Sequence, residues 1–126
     1  MNIIDSSGWL EYFADGPNAA FFPRPLQKTS QLIVPTITMY EVFKAVLRQR
    51  NESDAIQSVA LMQQGTVVDL TPGIAILAAK LSMEHQLPMA DSIILATART
   101  CGAIIWTQDS DFKHFTDVRY PAKQSQ

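Results

Sequence analysis

The chain has 126 residues, 47% hydrophobic and 17% charged, enough apolar material for one compact core and too few charges for a disordered chain. No apolar stretch approaches the ~20 residues a membrane-spanning helix needs, and Met1-Asn2-Ile3-Ile4-Asp5 has no basic leader, so neither a membrane span nor a signal peptide is expected. Cys101 is the single cysteine, which excludes an internal disulfide and favours a reducing, cytoplasmic setting, while a net charge of −2 provides no general basic surface for nucleic acid.

Residues 2–5 read as a short buried strand, followed over residues 6–13 by a helix start with Trp9, Leu10 and Phe13 on one face. Asp15-Gly16-Pro17-Asn18 is a break, and Pro23 and Pro25 argue against one long helix in the weakly patterned residues that follow. Leu32-Ile33-Val34 is a second strand, expected to stop at Pro35. The spacing of Met39, Val42, Phe43 and Val46 predicts a core-facing stripe on a helix over 36–48. A helix over roughly 52–63 is expected to close at Gly65 as a left-handed cap. Residues 66–70 form a third strand, and Thr71-Pro72 starts a helix that ends before Pro88. Residues 90–99 are helical and apolar almost all round, hence buried. Gly102 ends that helix, residues 103–106 form a fourth strand, and a last short strand is expected at 118–120. Short apolar strands alternating with helices imply a single α/β domain over 1–126 with a parallel sheet covered on both faces, its site at the carboxyl ends of the strands.

Four acids fall near that edge. Asp5 ends the first strand, Asp109 follows the fourth, Asp91 opens the buried helix and Glu41 lies in a helix after the second strand. Each has a structural alternative. Asp5 could be a turn residue or cap, and Asp91 could cap its helix. Glu41 sits roughly 160° from Met39 around its helix, with Thr38, Lys44, Ala45 and Arg48. That face is either solvated, with a weak Glu41–Lys44 pair, or an acid at a cleft with Lys44 and Arg48 flanking it to hold phosphates. Asp109 and Asp111 form an Asp-Ser-Asp pair that is weak by itself. Jointly the four acids suggest a cation site, because crowded carboxylates repel one another. Oxygen donors without a His or Cys cluster select Mg2+, or Mn2+, over zinc, and binding it would also relieve the acidic charge balance. His85 and His114 belong to no ligand spacing and are expected at the surface. Tyr12, Phe21 and Phe22 are either an exposed partner groove or core.

Ile3-Ile4-Asp5-Ser6-Ser7, Thr36-Ile37-Thr38-Met39-Tyr40-Glu41-Val42, Leu87 to Ala98 around Ala90-Asp91, and Ile104-Ile105-Trp106-Thr107-Gln108-Asp109-Ser110-Asp111-Phe112 come in the order and spacing of four motifs. On these the sequence resembles the PIN domain, and within it the VapC-type toxins of toxin–antitoxin pairs. The resemblance implies a five-stranded parallel sheet flanked by helices in a PIN-like α/β/α sandwich. It implies a homodimeric, Mg2+-dependent endoribonuclease of single-stranded RNA, silenced by a small VapB-like antitoxin. Its acids map to Asp5, Glu41, Asp91 and Asp109. Thr107 would orient the last acid or a water, Ser6 would have a supporting part, and Asp111 matches no fixed acid and is auxiliary. Nothing is carried over between residues 14 and 31. The expected chemistry is phosphodiester hydrolysis by a metal-activated water, leaving 5′-phosphate and 3′-hydroxyl ends. The alternatives are a receiver-like phosphate-transfer domain with Asp5 as phosphoacceptor, and a non-catalytic RNA-binding module.

Overall fold

A computed structural model describes residues 1–121. Residues 122–126, the end of the expected single domain, lie outside the described residues. Strands β1 (Asn2–Ile4), β2 (Leu32–Pro35), β3 (Thr66–Val68), β4 (Ile104–Trp106) and β5 (Val118–Arg119) form one five-stranded sheet in the order β3-β2-β1-β4-β5, every neighbouring pair parallel. Helices α1 (Ser6–Phe13), α2 (Pro23–Leu26), α3 (Thr36–Gln49), α4 (Glu52–Met62), α5 (Pro72–His85) and α6 (Met89–Cys101) connect them. Among the described residues no helix is long and apolar enough to cross a membrane.

The pleat of β1 divides the core in two. Successive strand residues face opposite sides of a sheet. Ile3 joins Ile33, Ile105 and the buried faces of α5 and α6, whereas Ile4 joins Leu32, Val34, Trp9 and the inner faces of α3 and α4. Helix α6 buries every residue from Ser92 to Ala98, as its all-round apolar sequence requires. Strand order sets the site. From β1 the chain moves outward through β2 to β3, then returns to lay β4 on the other side of β1 and β5 beyond it. The direction of winding therefore reverses at the β1–β4 boundary. In open parallel sheets a crevice opens at such a point, outside the carboxyl ends of the strands.

Local expectations are corrected at Gly65 and Pro35 and made definite at two further places. Gly65 is not a left-handed cap: Gly102, at φ 63°, is the one glycine with positive φ among the described residues. Helix α4 instead ends through Gln63 in ordinary helical geometry, and Gly65 is small because a Cβ there would lie 2.9 Å from the Leu32 carbonyl oxygen of the neighbouring strand. Pro35 does not stop β2 but is its last residue, opposite Val68 on β3. Residues 19–31 are ordered as a 3₁₀ turn at Ala19–Phe21, the short α2 and a second 3₁₀ turn at Thr29–Gln31, so the prolines break a long helix without abolishing structure. Phe22 is wholly buried, and Phe21 and Tyr12 pack partly buried against the same core, which settles these three as core rather than an open groove.

Candidate active site

The register of β1 and β4 builds the floor of the site. Ile4 lies opposite Trp106, so the next residues, Asp5 and Thr107, leave adjacent strands at the same height. Asp5 then caps α1, its Oδ1 accepting from the Gly8 amide at 2.9 Å and from Ser7 Oγ at 2.8 Å. Thr107 Oγ1 donates to Asp5 Oδ2 at 2.6 Å and accepts from the Asp109 amide at 2.8 Å. One hydroxyl thus ties the first acid to the backbone of the last. Asp5 is only 2% exposed. Burial pushes its carboxyl up to about 6, against the hydrogen bonds from Thr107, Gly8 and Ser7, and the charge of Asp109 adds to the rise.

The wall opposite is made by α6 and the turn after β4. Asp109 caps a 3₁₀ turn, Ser110–Phe112, by accepting from the Asp111 amide at 2.9 Å, and buried Phe112 anchors that turn in the core. Asp91 is the third residue of α6. It does not cap the helix, because the cap position is Pro88 and carries no side-chain hydrogen bond. The Asp91 carboxyl reaches Asp111 instead. One carboxylate oxygen from each of Asp91, Asp109 and Asp111 lies within 4.8 Å of the others. Burial, the hydrogen bond with Asp111, and the charges of Asp109, Asp111 and Asp5 push the Asp91 carboxyl up to about 8. The charge coupling also places Asp5 within electrostatic reach of both Asp91 and Asp109.

Glu41 stands outside that group of three. It joins the same edge through Ser6, the first residue of α1, whose Oγ donates to Glu41 Oε1 at 2.5 Å. Its face is only half solvated: Thr38 and Ala45 are buried, whereas Lys44 and Arg48 are exposed. Among the described residues Glu41 makes no ion pair with Lys44. Lys44 instead places Nζ 5.6 Å over the Tyr40 ring, and Arg48 is exposed further along α3. His85 and His114 are exposed, away from any group of ligands. The residue that sequence reasoning undervalued is Asp111. Its signal was the two-residue spacing from Asp109, which a tight 3₁₀ turn converts into two carboxyls beside one another.

An α/β domain with parallel strands and an all-carboxylate group at its winding reversal is thereby defined. The chain belongs to the PIN domain family, whose profile matches residues 3–118. Solved structures share the fold. A toxin–antitoxin complex from Klebsiella pneumoniae contains a chain with a TM-score of 0.81 and 21% identity, the match covering 98% of this chain and 100% of that one. The sarcin–ricin-loop-cleaving toxin VapC20 of Mycobacterium tuberculosis has a TM-score of 0.78 at 19% identity, covering 94% of this chain and 99% of that one. A chain of the DNA-bound VapBC complex of Salmonella typhimurium has a TM-score of 0.73 at 16% identity, covering 96% and 98%. A search of curated proteins finds no match.

Proposed function

We propose that this chain is a Mg2+-dependent endoribonuclease of single-stranded RNA, with Mn2+ as an alternative ion, and the toxin of a type II toxin–antitoxin pair. The observation that carries this is the Asp91–Asp109–Asp111 group at the winding reversal of a PIN fold. Family membership supports nuclease chemistry. The neighbouring toxin and VapBC structures support the toxin role and a small VapB-like antitoxin as partner. A homodimer in the cytoplasm is part of the same proposal. A largely apolar groove of about 360 Å³, lined by Met39, Tyr40, Phe43, Lys44, Leu47 and Val59, supports contact with another protein.

The residues fit a hard divalent cation. The three grouped donors are all carboxylate oxygens, and burial, with the neighbouring acids adding to it, holds the Asp91 carboxyl well above the usual range, so that its charged form calls for a cation. Asp91, Asp109 and Asp111 would hold the ion, with Asp5 and Glu41 completing the acidic surround. A divalent ion there supplies positive charge to a phosphodiester and lowers the pKa of a bound water. Thr107 keeps Asp5 and Asp109 in fixed register by donating to the one and accepting from the amide of the other. Ser6 holds Glu41 at the rim. Lys44 and Arg48 on α3 are assigned to RNA phosphates. The shape of the expected target is an unpaired loop, since selective RNA cutters act where bases are splayed out.

The test is to co-purify the chain with its small partner, release it, and cleave RNA with and without Mg2+. Cleavage that EDTA stops and Mg2+ restores, leaving 5′-phosphate and 3′-hydroxyl ends, is expected. Cyclic phosphate ends, or full activity in EDTA, would overturn the mechanism.

A further inference from the structure

One carboxylate oxygen from each of Asp91, Asp109 and Asp111 lies within 4.8 Å of the others, and sharing one cation among them requires the short turn that carries two of them to be held in place. The turn's own restraints are the Asp109 cap, the bond from the Asp109 amide to Thr107, its backbone hydrogen bonds and the burial of Phe112. A further restraint converges on Gln108, the residue between Thr107 and Asp109. Its amide N–H points to Ser7 Oγ at 3.4 Å, a long contact to the hydroxyl that also holds Asp5. Its carbonyl accepts from the Tyr120 hydroxyl at 2.7 Å, immediately after β5. Its side-chain Oε1 accepts from Asn18 Nδ2 at 3.0 Å, in the loop after α1. Asn18 is itself fixed, its amide donating to Glu11 Oε2 at 2.9 Å. Three segments remote in sequence therefore grip one residue whose neighbours on both sides belong to the site.

We propose that Gln108 is a positioning residue for the acid group, held by Tyr120 and Asn18 so that Asp109 and Asp111 stay against Asp91. This rests on the cation-binding nuclease proposed above and adds residues that touch neither ion nor RNA. Tyr120 and Asn18 act by fixing the backbone that presents the ligands. Loosening that backbone lowers affinity for the ion and the rate of the chemical step, and leaves RNA binding, which other residues provide, nearly unchanged. Partners that orient metal ligands from outside typically matter about 10- to 100-fold in affinity or activity.

The experiment uses the full chain and Mn2+ as the probe. Tyr120→Phe removes one hydroxyl from an exposed ring, and Asn18→Ala removes the amide on the other side. Calorimetric Mn2+ affinity, kcat and KM for RNA, and Tm are measured for each, with binding read well below the melting range. Each variant is expected to bind Mn2+ about tenfold more weakly and to lose kcat with little change in KM. Gln108→Ala breaks the same bond as Asn18→Ala, so combining the two should lose no more than either alone. Wild-type affinity in both Tyr120→Phe and Asn18→Ala overturns the proposal, as does a fall in Tm with affinity intact. A wild-type chain that binds Mn2+ but cuts no RNA overturns the nuclease assignment and leaves the positioning role standing. A wild-type chain that binds no Mn2+ overturns both.

Discussion

The two sides of the site treat a buried acid in opposite ways. On the β1–β4 floor, Asp5 is nearly inaccessible, yet its oxygens accept from Thr107, Ser7 and the Gly8 amide. On the α6 wall, Asp91 is less buried, but the groups around it are other acids. Burial raises both carboxyls, Asp5 to about 6 against its hydrogen bonds and Asp91 to about 8 with its neighbours reinforcing the rise. Donors make a buried carboxylate tolerable without any counter-charge, whereas a cluster of acids calls for a proton or a cation. The floor is built to stay in place, and the wall is built to be neutralised.

The largest effect should come from the wall. Asp91→Asn keeps the shape and removes a charge. RNA cleavage and Mn2+ affinity should fall by at least the roughly hundredfold upper range seen for lost outer partners of a metal, measured by product formation and calorimetry. Stability should then separate the two sides by sign. Asp5→Ala loses a helix cap and the partner of a buried hydroxyl, and should unfold about 2–3 kcal/mol more easily in urea. Asp91→Asn, in EDTA at pH 8, should be as stable as wild type or more so, because it removes repulsion. Equal destabilisation by both would break the contrast.

Acidity gives the next effect. Both carboxyls have folded pKa values above the ordinary 3.8, so the folded state holds more protons than the unfolded state across that interval. Stability without metal is therefore full below about pH 4. It declines as pH rises through about 6 for Asp5 and about 8 for Asp91. Thermal melts in EDTA should show Tm falling across this window, and saturating Mn2+ should flatten the decline. A Tm that rises with pH in EDTA would contradict the assignment of the raised carboxyls. The smallest effect is at the rim. Ser6→Ala removes the donor to Glu41 and should cost about 1 kcal/mol or less in stability while slowing cleavage several-fold. Ser6→Thr, which keeps the hydroxyl, should restore the rate.

The layered fold was legible because its signals are local. Thr71-Pro72 caps and starts α5, Ser92 to Ala98 announce a buried helix, and the short apolar runs have no room to be anything but interior strands. Asp5, Asp91 and Asp109 were legible as acids at strand ends and helix starts. Asp111 was not, because its value depends on a 3₁₀ turn that sequence spacing alone does not fix. Glu41 was legible as an acid off the apolar stripe, but its tie to Ser6 spans 35 residues and arises only from packing α1 on α3. Gly65 was misread since glycine serves two purposes, left-handed caps and close approach, and only the neighbouring Leu32 carbonyl reveals which one applies. Residues 14–31 carry only a weak pattern, and Asn18 within them is defined by contacts with Glu11 and Gln108 that no local pattern encodes.

The most direct test places the ion in the fold. Substoichiometric Mn2+ is titrated into isotopically labelled protein, and paramagnetic broadening of backbone amide resonances is followed by NMR. Broadening should begin at residues 5–8, 91–93 and 107–112, and it should vanish in an Asp91→Asn/Asp109→Asn variant that remains folded. Early broadening centred on exposed acids elsewhere, such as Glu52 or Glu84, with these segments untouched, would contradict a cation site at the β1–β4 boundary.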